Sequence, residues 1–265
     1  MGISRRVMLA AGGAALAAPA FGARVAAAAD TYPSNTALYA DPALVAGVDY
    51  GQRFRRHGVS DDSETAPSPA LPAAVVIAPH GGGIEPGTSE LCLAIAGYDP
   101  ATMAATPAGG PVYDFWMFEG LRASNNGVLH VTSTHCDDPV ALALCGGVRR
   151  AVSLHGCTPQ QAGFADGTAA ALVGGADAAL RSALRSALSA AGFTTRDAAG
   201  VGELDGDDPA NIANRTLSGG GAQLELTTPL RQAMFTSFTR AGRRTSTTGL
   251  FWSFTAAVRS ALAAV

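Results

Sequence analysis

The sequence predicts a single α/β domain, with a mixed, mostly parallel sheet and helices on both of its faces. Short apolar runs at 73–78, 151–154 and 222–226 alternate with helical stretches, so strands and helices interleave along the chain. Two of those runs end on a histidine followed by glycine, His80-Gly81 and His155-Gly156, and open α/β sheets place their ligands at the carboxyl ends of strands. No internal repeat is present, and residues 30–265 suit one domain with a full core.

The first 29 residues read as a leader. Arg5 and Arg6 form a charged start, a short Ala- and Gly-rich apolar stretch follows, and small residues run up to Ala29. The paired arginines point to twin-arginine export, with the general secretory route as the alternative, and in either case to a secreted or extracytoplasmic protein. No later segment is long and apolar enough to span a bilayer. Loss of residues 1–29 removes Arg5, Arg6 and Arg24 and no acid, taking the formal charge from −3 to −6. Such a chain, without a basic stretch, is not expected to bind nucleic acid. Cys92, Cys136, Cys145 and Cys157 are too few for a disulfide framework and lack Cys-x-x-Cys spacing, although Cys136 with Cys145 can close a short loop outside the cell.

In chain order, residues 30–46 are polar and turn-rich and should lie on the surface. Residues 48–56 alternate as an edge strand before an exposed loop at 60–69. The strand at 73–78 enters a glycine turn, after which Thr88 or Ser89 can cap a helix through Leu91, Leu93 and Ile95, with Glu90 favourable in its first turn. Residues 112–118 and 129–133 read as strands, and Asp138-Pro139 opens a helix. Strands at 151–154 and 168–173 precede an amphipathic helix with Leu180, Leu184 and Leu188 on one face and Gly192 as its stop. A strand at 193–196 leads to a long Gly-, Asp- and Asn-rich loop at 199–221. The strand at 222–226 carries Glu225, Leu230-Arg231 begins a helix, and 251–264 forms the last one.

The chemistry concentrates at His80 and Glu85. Five residues apart, they share neither a helix face nor an extended strand, so they meet only if the chain folds back; Gly81, Gly82 and Gly83 permit that. Imidazole plus carboxylate begins a catalytic zinc site, which typically takes two histidines and one glutamate and leaves a position for water. His155 supplies the second histidine by its matching strand-end position, with His135 as the rival because Asp137 and Asp138 follow it. His57 reads as solvated and His130 as structural. Glu225, near the end of its strand, suits the carboxylate that accepts a proton from attacking water; the alternative is a strand carboxylate paired with an arginine.

The runs HGGGIEPGTSEL, YDFWMFEGL, LHVTSTH, AVSLHGC, NIANR and QLEL, in this order, resemble the poly-γ-glutamate hydrolases first associated with bacteriophages. The resemblance spans roughly residues 42–262. It implies a zinc-carboxypeptidase-like fold and hydrolysis of γ-glutamyl amide bonds, with zinc held by His80, Glu85 and His155 and with Glu225 as the catalytic carboxylate. By analogy with the Asn-Arg pair of zinc carboxypeptidases it also implies Asn214 and Arg215 as substrate-binding residues. A net-negative chain acting on a polycarboxylate needs local positive charge. Among Arg122, Arg149, Arg150, Arg215 and Arg231 the first choice is Arg215, whose planar fork suits a carboxylate, and the next is Arg150. The expected partner is a γ-glutamyl polymer or peptide, and the expected state a monomer. Two other functions fit the same residues: a zinc amidase acting on cell-wall peptides or acyl-amino acids, and a catalytically silent binding protein of the same fold.

Overall fold

The structure, a computed structural model, describes Met1 and residues 30–57, 73–107 and 110–265. The expected leader and the expected loop at 60–69 lie outside the described residues. Among the described residues, seven strands form one sheet: β1 (Tyr50–Arg55), β2 (Ala74–Gly82), β3 (Asp114–Gly120), β4 (Arg150–Cys157), β5 (Ala171–Gly174), β6 (Thr195–Asp197) and β7 (Ala222–Thr227). Their order is β1-β3-β2-β4-β7-β5-β6. The central strands β3, β2, β4 and β7 are mutually parallel, while β1 and β5 run antiparallel to β3 and β7, so the sheet is mixed as expected. β2 is buried over its whole length, which its unbroken apolar run requires of a strand covered on both faces. After β2 the chain passes to β3 on one side and then returns to β4 on the other. The strand order therefore reverses between β2 and β4, and a crevice opens at their carboxyl ends.

The helices are α1 (Asn35–Tyr39), α2 (Thr88–Ala96), α3 (Pro139–Gly146), α4 (Ala178–Ala190), α5 (Thr228–Ala233), α6 (Arg240–Arg243) and α7 (Gly249–Ala263). One face of the sheet packs against α2, α4 and α7, and the other against α1 and α3. Leu180, Leu184 and Leu188 are fully buried, as their spacing predicts, and each contributes at most about 1.5–3 kcal/mol of burial free energy. Asp177 caps α4 by accepting from the Leu180 amide, and Asp138 caps α3 by accepting from Val140 and Ala141, with Pro139 at the first helical position. Among the described residues no helix is long and apolar enough to cross a membrane.

Three local expectations are corrected, and one open possibility is resolved. Residues 129–133 form no strand. Two 3-10 turns, Asn126–Leu129 and Ser133–His135, flank them, and their backbone is engaged by side chains: the Thr132 amide donates to Asp30 and the Val131 carbonyl faces His80. Neither Thr88 nor Ser89 caps α2. The cap is Gly87 at φ 102°, while the Thr88 hydroxyl donates to the Glu85 carbonyl and the Ser89 hydroxyl accepts from the Gly82 amide. The segment at 30–46 is not merely superficial, because α1 buries Leu38 completely and Tyr39 stacks on Tyr50 at 5.4 Å. Cys136 and Cys145 form no disulfide, and all four thiols are free and buried.

Candidate metal centre and active site

The site is built at the crevice between β2 and β4. His80 leaves β2, and the chain folds back so that the Glu85 amide donates to the His80 carbonyl at 2.8 Å, which brings the two side chains together. The turn needs Gly82: its φ is +66°, and a Cβ there would stand 2.4 Å from the Gly120 carbonyl oxygen. β4 delivers His155 beside it. β7 pairs with β4 in parallel register, His155 opposite Glu225, so the two side chains leave the same face of neighbouring strands. His80, His155 and Glu225 are each at most 4% exposed.

His80, Glu85 and His155 converge: their ligand-type atoms all lie within 4.8 Å of one another. His80 Nδ1 is 3.0 Å from Glu85 Oε1 and 3.1 Å from His155 Nδ1. The opposite nitrogens are occupied. His80 Nε2 lies 2.9 Å from the Val131 carbonyl, and His155 Nε2 lies 2.9 Å from Ser153 Oγ and 3.2 Å from Ser133 Oγ. A carbonyl only accepts, so His80 Nε2 carries a proton and Nδ1 of the neutral ring is a bare lone pair aimed at a carboxylate. Acceptor facing acceptor in a buried place is stable only with a cation between them.

The ionisation of the cluster follows the same demand. Burial opposes the charge on Glu85, but the His80 and His155 imidazoles hold its carboxyl well below the usual range. Burial pushes His80 down, and Glu85 more than reverses this, raising it. Burial takes His155 down to about 3, leaving it neutral. A divalent ion placed among these groups would supply the positive charge and use the same three ligand atoms. Two imidazole nitrogens and a carboxylate oxygen, each ring fixed by a bond at its far nitrogen, fit zinc.

Glu225 stands beside this cluster without joining it. Burial, and then the nearby Glu85 charge, raise its carboxyl to about 8, and Gln223 Nε2 donates to its Oε1 at 2.9 Å. Arg231 ties the site together. Its guanidinium donates to the carbonyls of Pro86, Leu226 and Cys157, fastening the Glu85 turn to the ends of β7 and β4. It lies over Gly156, where a Cβ would come within 2.5 Å of its central carbon, and the Gly156 amide donates to Glu85 Oε2 at 2.8 Å.

The expected substrate-binding residues are not gathered here. Arg150 opens β4, five residues or about 17 Å before His155, and lies 3.6 Å from Asp177. Asn214 sits at the amino end of β7, where its carboxamide makes four hydrogen bonds, accepting from Ala176 and Gly221 and donating to Gly206 and Asp208. Arg215 is exposed and donates to the Ala210 carbonyl at 3.4 Å. Of the rival histidines, His135 is exposed, 3.7 Å from Asp30. His130 bonds Asp30 at 2.7 Å, and its ring centroid stands 3.8 Å from that of His80. Sequence reasoning missed Ser153 and Gln223. Both lie two residues before a site residue, and the period of a strand puts them on its face. Val131 and Ser133 carry no local signal of their roles.

The chain is similar to known proteins in sequence and in fold. A family model described as poly-gamma-glutamate hydrolase matches residues 64–257. The SPbeta prophage-derived protein YoqZ of Bacillus subtilis (strain 168) is 35% identical over 182 residues, covering 69% of this chain and 59% of that protein. The chain thus spans about three fifths of that relative's length. The solved structure of a bacteriophage poly-gamma-glutamate hydrolase superposes with a TM-score of 0.71 at 32% identity, covering 89% of this chain and 98% of that one. A zinc-free apo structure of YndL superposes with a TM-score of 0.66 at 30% identity, covering 86% and 95%.

Proposed function

We propose that this chain, which belongs to the poly-γ-glutamate hydrolase family and is a hydrolase, uses zinc held by His80, Glu85 and His155 to cleave γ-glutamyl amide bonds. The observation that carries the reading is the buried convergence of three ligand-type groups, His80 Nδ1, His155 Nδ1 and the Glu85 carboxylate, at the carboxyl ends of β2 and β4. When bound, zinc supplies Lewis acidity to the scissile carbonyl and to water. The remaining work falls to the protein. Glu225 takes a proton from the attacking water and returns it to the leaving amine, and a carboxylate kept from solvent beside the cluster is suited to both transfers. Gln223 fixes the orientation of Glu225 through its amide, and Arg231 holds the Glu85 turn against the two strands. The substrate is a γ-linked glutamyl polymer or peptide, in keeping with the family and with the phage enzyme of the same fold.

The protein is further proposed to be exported, supported by the paired arginines and the small-residue stretch before Asp30. Purified protein is tested by incubation with poly-γ-glutamate, product size by chromatography, and metal content by elemental analysis. Shortening of the polymer with one zinc per chain is expected, and its absence in zinc-loaded protein overturns the reading. Replacement of Arg5 and Arg6 by lysine should abolish export if the twin-arginine route is used.

A further inference from the structure

Beside the exit of β2 a cleft of about 600 Å³ opens between β1, the start of α2 and α6. Its lining includes Gly82, two residues beyond His80, so the cleft and the metal-binding turn share one short peptide. Four arginines line it, Arg53, Arg240, Arg243 and Arg244, against two acids, Glu90 and Glu119. Arg243 is 2% exposed and fully engaged: Nε lies 3.1 Å from Glu90 Oε2, Nη1 donates to the Phe238 carbonyl and Nη2 to Gly82 at 2.7 Å. It neutralises Glu90 and pins α6 to the turn. Arg53 lies 3.8 Å from Glu119. Arg240 and Arg244 are exposed and form no ion pair among the described residues. The cleft therefore carries two uncompensated guanidinium groups in a chain of net charge −3.

We propose that this cleft binds the flanking carboxylates of an acidic chain, a γ-linked glutamyl polymer whose neighbouring bond lies at the metal site. The inference rests on the proposed function above and deepens it. A guanidinium takes a carboxylate through two parallel hydrogen bonds, and every one of the chain's 18 basic residues is arginine. Arg240, the first residue of α6, and Arg244, its C-cap, stand four residues apart and can each take one carboxylate of a polymer that carries one on every unit. This is the local positive charge that a net-negative hydrolase of polycarboxylates requires, placed by tertiary contact and not by any of the motifs.

The test compares the parent with Arg240→Ala/Arg244→Ala on two substrates, long poly-γ-glutamate and the dimer γ-glutamylglutamate, with salt varied. Both side chains are exposed and unpaired, so folding and zinc content should not change. The expected result is a KM for polymer about three- to tenfold higher with kcat retained, a weaker salt dependence, and unchanged kcat/KM on the dimer. A parental KM for polymer at low salt overturns the proposal. Equal losses on polymer and dimer also overturn it, because they would report damage carried to the metal turn. If the parent hydrolyses neither substrate, binding of fluorescently labelled polymer is measured instead. Weaker binding by the double variant upholds the cleft while the hydrolytic reading fails, and equal binding overturns the cleft as well.

Discussion

Buried polar groups sit at both ends of β4 and β7, but they are arranged in opposite ways. At the amino ends, Asn214 meets two donors with its oxygen and two carbonyls with its nitrogen, and Asn211 donates to Gln223 at 2.9 Å. Each of these carboxamide groups is matched, donor to acceptor, which is how a polar group is buried without loss. At the carboxyl ends, His80 Nδ1 and the Glu85 carboxylate turn toward each other and toward His155 Nδ1, and burial and the Glu85 charge raise the Glu225 carboxyl above its usual range. The satisfied end is structural. The unsatisfied end stores the demand for a cation and for proton exchange, and it coincides with the place where the strand order reverses.

The comparison can be broken by substitution at either end. The largest effect is expected for His80→Ala or His155→Ala, which should lose stoichiometric zinc and bring hydrolysis to background, as read by metal analysis and polymer cleavage. A His155→Ala variant that retains zinc, with His135→Ala losing it, would move the second ligand to His135. Glu225→Gln should come next, keeping fold and zinc but losing about 10²–10⁴ in kcat, because an amide preserves shape and accepts no proton. A rate within a few-fold of the parent would make Glu225 structural. At the amino end, Asn214→Ala should cost about 2–4 kcal/mol of stability by stranding buried backbone groups, visible as a lower urea midpoint, with kcat of the folded fraction unchanged. The smallest effect is expected for Arg150→Ala: a change within about 0.5 kcal/mol and a parental kcat/KM. If Arg150→Ala instead abolishes turnover, the amino end is functional and the contrast fails.

Much of the site was legible because its signals are local. His80 and His155 each follow an apolar run and precede glycine, and the spacing to Glu85 admits only a turn closed by glycine, now seen in the Glu85 amide bonded to the His80 carbonyl. The Leu180, Leu184 and Leu188 stripe carries its helix in its own periodicity. The misread segment at 129–133 shows the opposite case. Its apolar residues alternate as a strand would, but its backbone is engaged by Asp30, about one hundred residues earlier, and by His80.

What the sequence determined by itself is therefore the order of the seven sheet strands and the longer helices, the glycine turn and the residue types at the strand ends. These depend on φ/ψ preferences and on side-chain spacing within a few residues. Only the tertiary structure decided which arginines and asparagines are spent and which are free. Asn214, Arg150 and Arg231 stand close to site motifs along the chain, yet they are held by the surrounding fold, while Arg240 and Arg244 lie some 160 residues from His80 and line the cleft beside its turn. A charged side chain acts over a few ångströms of space whatever its distance along the chain, and the crossing of β2, β4 and α6 sets that space.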